Sequence, residues 1–132
     1  MTERLTIRLT DRAPVCVRKD LWPLIASAKD WDNQYECQAN RTWHLRVRQH
    51  ADGRTLVYAV YDTAFQHERS LAAGELLAAG EDVAAAVRRV GEEIGAHAAV
   101  IAECIGDLPA EDLDGDAPAA GNDLVGPRPA LS

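Results

Sequence analysis

His44, Arg46, Arg48 and His50 occupy every second position of the run from Thr42 to His50. In an extended strand, alternate side chains leave the same face about 6.8 Å apart. These four groups would therefore form a line of guanidiniums and imidazoles. Such a line suits a carboxylate-rich or phosphate-bearing partner, because each guanidinium can make paired, charge-assisted hydrogen bonds. The guanidiniums bias the imidazoles towards the neutral form near pH 7 by like-charge repulsion. Metal binding fits poorly, since the arginines crowd the imidazoles and no acidic ligand lies in register. A solvated outer sheet face would need the same residues and no ligand. The second cluster is aromatic. Trp31, Tyr35 and Trp43 flank a polar connection that also carries Arg41. Trp, Tyr and Arg are the side chains most enriched at the energetic centres of interfaces. The competing reading is that these rings close the edge of the core.

Other combinations carry less. Cys37 and His44 would make a nucleophile–base pair only with an oxyanion site and a third orienting group, and neither is identifiable. His67-Glu68-Arg69 reads as surface salt-bridging rather than acid–base chemistry. Asp112, Asp114, Gly115 and Asp116 echo part of a calcium loop but lack its twelve-position pattern and closing glutamate. Glu81, Asp82, Glu92, Glu93 and Glu103 could imitate phosphate spacing, although solubility alone explains them. The sequence therefore assigns no catalytic, cofactor-binding or metal-binding residue, and a non-enzymatic protein is expected. The candidate contact residues are His44, Arg46, Arg48, His50, Trp31, Tyr35 and Arg41.

These groups must be positioned by a small fold. Thr42–Gln49 sets Trp43, Leu45 and Val47 on one face against His44, Arg46 and Arg48 on the other. Asp52-Gly53 then separates it from the β-branched and aromatic run Thr55–Tyr61, and Asp-Gly between two such runs is a strong hairpin signal. Two turn geometries remain open, and they decide whether Val57/Tyr61 or Tyr58/Val60 join the core face. Leu5, Ile7 and Leu9 alternate as in a strand, and Val15-Cys16-Val17 is a short extended piece. Leu21, Leu24, Ile25 and Ala28 form a stripe at helical spacing, with Asp20 as N-cap and Pro23 in the first turn. They predict a helix over about 20–29. Leu71–Leu77 is a third-strand candidate weakened by Gly74. Val83, Val87, Val90 and Ile94 predict a helix over about 81–95, with Gly95 as its stop, and a second follows over about 97–105.

The expected class is α+β, with a small antiparallel sheet around the 42–61 hairpin and helices on one face. Residues 20–95 then read α-β-β-β-α, a layout shared with double-stranded RNA-binding domains. The basic cluster those domains carry at the start of the last helix is replaced here by Glu81-Asp82. Residues 1–106 are expected to form one domain, and 107–132, acidic and rich in Pro and Gly, a disordered tail.

Composition agrees with a small core. All seven aromatic residues fall between Trp22 and Phe65, so the later part can contribute only aliphatic faces and alanines. The net charge of −7 over 132 residues hides a segregation. Residues 1–60 carry ten basic against seven acidic side chains, whereas 61–132 carry four against fourteen. An acidic total disfavours non-specific nucleic-acid binding. Three scattered cysteines with no C-x-x-C read as reduced thiols, which points to the cytoplasm. No apolar run approaches a membrane span, and either a monomer or a homodimer is compatible.

The runs Asp30-Trp31-Asp32, Glu36-Cys37-Gln38-Ala39-Asn40-Arg41 and His50-Ala51-Asp52-Gly53-Arg54, with Trp22-Pro23 before them, resemble small bacterial proteins carried on plasmids, phages and other mobile elements. The resemblance spans roughly residues 5–113 and transfers no functional residue. It implies an accessory role: inhibition or regulation of a macromolecular partner by contact, as anti-CRISPR proteins do. Direct RNA or DNA binding is the alternative.

Overall fold

The alternation on either side of Asp52-Gly53 closes as a hairpin. In the computed structural model, which describes residues 3–32, 41–65 and 67–110, strand β4 (Arg41–Gln49) pairs antiparallel with β5 (Thr55–Thr63). The turn is held by His50 N–H donating to the Arg54 carbonyl at 2.9 Å and Gly53 N–H donating to the His50 carbonyl at 2.9 Å. Gly53 sits at φ +97°, a conformation that an L side chain would strain. The register places Val47, Leu45 and Trp43 opposite Val57, Ala59 and Tyr61. Of the two open geometries, the chain adopts the one that puts Val57 and Tyr61 on the core face.

Two further strands complete a meander of order β3-β4-β5-β6, with β3 spanning Leu24–Asp32 and β6 spanning Leu71–Leu77. The expected helix over 20–29 does not form, because most of that segment is β3. Leu21 and Leu24, two members of the helical stripe, are 44% and 46% exposed, so burial does not reward the helix. What is buried instead is Ala26 and Ala28, a period of two, paired opposite Val47 and Leu45. Over residues 20–95 the α-β-β-β-α layout therefore becomes β-β-β-β-α, and the parallel with RNA-binding domains loses its first helix.

Helices α1 (Val83–Glu93) and α2 (Ala98–Asp107) cover one face of the sheet. Asp82 caps α1 by accepting from Ala85 N–H at 3.1 Å. Val87, Val90, Ile94, Val100, Ile101 and Cys104 pack onto Trp43, Leu45, Val47 and Val57 in the main core. The aromatic anchor comes from the sheet and the aliphatic cover from the helices.

The other face is half covered. Strands β1 (Arg4–Ile7) and β2 (Val15–Arg18) form a separate antiparallel hairpin. Ile7, Leu9, Val17 and Trp22 bury Leu56 beneath them, with Tyr58 and Leu76 at the margin of this second core. The backbone after β1 lies directly on β6. Thr10 N–H donates to the Gly74 carbonyl at 2.8 Å, and Gly74 N–H donates to Thr10 Oγ1 at 3.0 Å. A Cβ at Gly74 would stand 2.5 Å from the Arg8 carbonyl oxygen. The glycine that weakened the strand signal is there because another backbone comes that close. At the opposite edge of the sheet, the Asp107 carboxylate accepts from Ser27 N–H of β3 at 3.0 Å. Both edge strands thus have a backbone group engaged, which reduces their freedom to pair with another chain. The tail expected over 107–132 begins later than that, since Asp107 ends α2 and bonds Ser27, and residues 111–132 lie outside the described residues.

Candidate functional site

The outer sheet face, away from the helices, is where the sequence put its line of polar side chains, and the structure divides that line in two. Arg48 and His50 belong to the half under the β1–β2 hairpin. Arg48 is only 7% exposed. Its Nε–H donates to the Tyr58 hydroxyl at 2.9 Å and an Nη1–H donates to the Trp22 carbonyl at 3.0 Å. The His50 ring meets Trp22 edge-on at 5.1 Å, and its Nδ1 accepts from Asp52 N–H at 3.1 Å. Both residues help to fasten the segment carrying Trp22, so neither is a free surface group.

His44 and Arg46 belong to the open half. Register places Lys29 beside His44 on β3 and Trp31 beside Thr42, while Val60 and Asp62 flank them on β5. Trp31 is 51% exposed, and Lys29 Nζ lies 5.5 Å from its ring centre. Arg46 reaches His44, with Nη2 3.4 Å from Nδ1. The His44 imidazole is held below its usual pKa, first by burial and then by the charges of Arg46 and Lys29, with Asp62 pulling the other way. It is therefore neutral near pH 7 and offers a lone pair to the guanidinium.

The aromatic cluster also separates. Trp43 is a core residue, tilted against Tyr61 at 5.1 Å and against His97 at 5.0 Å. Trp31 alone of the described pair faces solvent. Tyr35 and Cys37 lie outside the described residues, so the Cys37–His44 pair has no geometry here. Arg41 is committed to Glu68: Nε donates to Oε1 at 3.2 Å and Nη2 donates to Oε2 at 2.6 Å. Tyr61 and Thr63 hydroxyls donate to the same carboxylate at 2.6 and 2.8 Å, and the Arg41 guanidinium lies 4.3 Å from the Phe65 ring centre. The bonds from Arg41, then Tyr61 and Thr63, hold the Glu68 carboxyl at a pKa of about 2. Glu68 of the His67-Glu68-Arg69 run is thus a tether between the β5–β6 connection and β4. Glu81 and Asp82 of the acidic set are likewise spent on local backbone caps at Ala78 and Ala85.

Sequence reading missed the contribution of the N-terminal hairpin. An open groove of about 980 Å³ runs between that hairpin and the sheet, and its lining includes Arg8, Arg12, Lys19, Arg46 and Arg48 against one carboxylate, Asp62. Leu5, Ile7, Tyr58, Val60 and Leu71 supply apolar wall. Lys19 is paired with Glu3 at 3.3 Å. Arg8, Arg12, Arg46 and Arg48 have no carboxylate partner among the described residues. The alternation of Ile7 and Leu9 with Arg8 signalled a strand with a polar face, but nothing local signalled which surface that strand would lie against.

Among the described residues no group of three or more His, Cys, Asp or Glu could hold a metal ion. Cys104 is fully buried, and burial pushes its thiol up to about 11, which leaves it protonated and inert. No described helix is long and apolar enough to cross a membrane. Comparison of the chain with protein-family models, with curated proteins and with solved structures found no match.

Proposed function

We propose that this chain is a non-enzymatic binding protein that inhibits or regulates a macromolecular partner, and that it docks a protein through the open half of its outer sheet face. The observation that carries this reading is Trp31. A half-exposed tryptophan on a regular strand, with Lys29 across its ring and His44 and Arg46 in the adjoining rows, has the composition of an interface centre. The surrounding cations favour an acidic partner surface and would speed the encounter. The sequence resemblance to mobile-element accessory proteins would imply an inhibitory or regulatory outcome, and three scattered cysteines with no C-x-x-C fit a cytoplasmic setting.

The test is quantitative capture from bacterial lysate with tagged protein, comparing the native chain with a Trp31→Ala, Arg46→Glu variant. Both positions are accessible enough to change without opening either core. A defined prey enriched by the native chain and lost with the variant is the expected outcome. Equal enrichment of the same prey by both proteins would remove this face from consideration. A nucleic-acid role on the same face instead requires a gel shift at low ionic strength that weakens steeply with salt.

A further inference from the structure

The groove beneath the N-terminal hairpin adjoins the Trp31 face at Arg46 and has a chemistry of its own. Arg48 is the telling residue. A guanidinium has five N–H donors, and only two of those on Arg48 have a protein acceptor among the described residues. The side chain is more than nine-tenths buried, lines the groove, and has no carboxylate partner among the described residues. Burying a cation without a counter-charge is costly, and proteins normally satisfy such groups. Arg46 follows it along β4. Arg8 and Arg12 approach from the hairpin side, both exposed and both without an acidic partner among the described residues. Asp62 is the one carboxylate among the described lining residues, and the described wall carries a large positive excess.

We infer that this groove binds a small phosphorylated ligand, its phosphate held by Arg48 and Arg46 from the sheet and by Arg8 and Arg12 from the hairpin. Guanidinium forks match the geometry of phosphate oxygens. The positive excess calls for a ligand with several negative charges, which phosphate esters and anhydrides carry. Tyr58, Val60 and Leu71 offer apolar wall for the organic part. The volume of about 980 Å³ lies within the range of small-molecule sites. The hairpin bounds the groove on one side, which favours a compact ligand over a long polymer. Trp31, Lys29 and His44 are not part of the lining and Arg46 is shared with the docking face, so the Arg8/Arg12 and Trp31 variants are the ones that separate the two sites.

The probe is inorganic pyrophosphate, titrated into the full chain at constant ionic strength, with citrate as a carboxylate polyanion of comparable charge. Pyrophosphate should raise Tm by several degrees once it is in large excess over its Kd, and citrate should do so much less. Amide shifts in NMR spectra should concentrate at Arg8, Arg46, Val60 and Ala72. The Arg8→Gln, Arg12→Gln variant changes only exposed side chains and should bind pyrophosphate about tenfold more weakly or worse. Trp31→Ala should bind it as the native chain does. Arg48→Met should abolish binding, and because that variant risks the fold, the exposed pair keeps the test decisive. No response to pyrophosphate, an equal response to citrate, or unchanged affinity in the Arg8/Arg12 variant would overturn the inference. Tighter, strongly salt-dependent binding of a single-stranded oligonucleotide in the same groove would overturn it too, in favour of a nucleic-acid track.

Discussion

Replacing Gly74 with alanine should unfasten the N-terminal hairpin from the sheet. An alanine Cβ at this position would stand 2.5 Å from the Arg8 carbonyl oxygen, 3.0 Å from Leu9 Cδ2 and 3.2 Å from Tyr58 Cβ. Leu9 can turn its terminal methyl away. The Arg8 carbonyl cannot move unless the backbone after β1 moves with it. That shift stretches the two hydrogen bonds between Thr10 and Gly74, each worth about 1 kcal/mol net. It also loosens Ile7 and Leu9, now 3% and 8% exposed, over Leu56. Overpacking of this kind costs about 1–3 kcal/mol by itself. The combined expectation is about 2–4 kcal/mol. For a domain of this size, about 4 °C per kcal/mol converts that to a Tm drop of roughly 8–16 °C. Thermal unfolding followed by circular dichroism reads it directly. A second measurement isolates the cause. Thr10→Ala should cost about 1 kcal/mol in the native background and much less than that in the Gly74→Ala background, because both act on the same contact. A Gly74→Ala protein within about 0.5 kcal/mol of native, or full additivity of the two changes, would refute the account of Gly74 as a docking point.

Three further outcomes are expected. Glu68 has its folded pKa lowered to about 2 from an ordinary 4.5, so its stabilising effect is present above the ordinary value and is lost as pH falls from there towards 2; an acid-unfolding series should show a shallower pH dependence across that window for Glu68→Gln than for the native chain. Asp82→Ala removes the side-chain cap of α1 and should lower stability by about 1 kcal/mol in urea unfolding with an unchanged m-value. Peptide-resolved alkylation at pH 8 should label Cys16, which is exposed, and spare Cys104 until the chain is unfolded, and rapid native labelling of Cys104 would contradict its burial.

The sequence was most legible where local chemistry and tertiary need agreed. Asp52-Gly53 between two alternating runs specifies the β4–β5 hairpin because the turn residue and both faces ask for the same register. The valine repeat of α1 was readable for the same reason. The helix expected over 20–29 gives way to β3 because alanine conceals its period. Ala26 and Ala28 are core residues of β3 that have to be small beneath α2, yet alanine also favours helix, and Leu21, Leu24 and Ile25 happen to stand at helical spacing. On the candidate site, alternation put His44, Arg46 and Arg48 on one face of β4, whereas His50, expected to continue that line, lies just past the strand in the turn. Alternation could not say that Trp22 and the first hairpin would occupy half of that face. The consequence was large, since Arg48 changed from a surface cation into a buried one, and Arg8 and Arg12 joined the surface from far away in sequence.

The bond from Ser27 to Asp107 spans 80 residues and closes the β3 edge with nearly the last described part of the chain. During synthesis, β3 and its meander partners emerge well before α2 exists. Only 30 residues separate Leu77, the end of β6, from Asp107, so at about 5–20 residues per second roughly 1.5–6 s pass between the complete meander and its cap. For that interval the nascent sheet carries an edge strand with its Ser27 amide unsealed and the small alanines of its inner face uncovered. Molecules being made side by side on one messenger would meet one another in that state. The sealing contact is therefore a clock as well as a cap, and slow translation through the α2 codons should cost yield through aggregation without altering the finished protein.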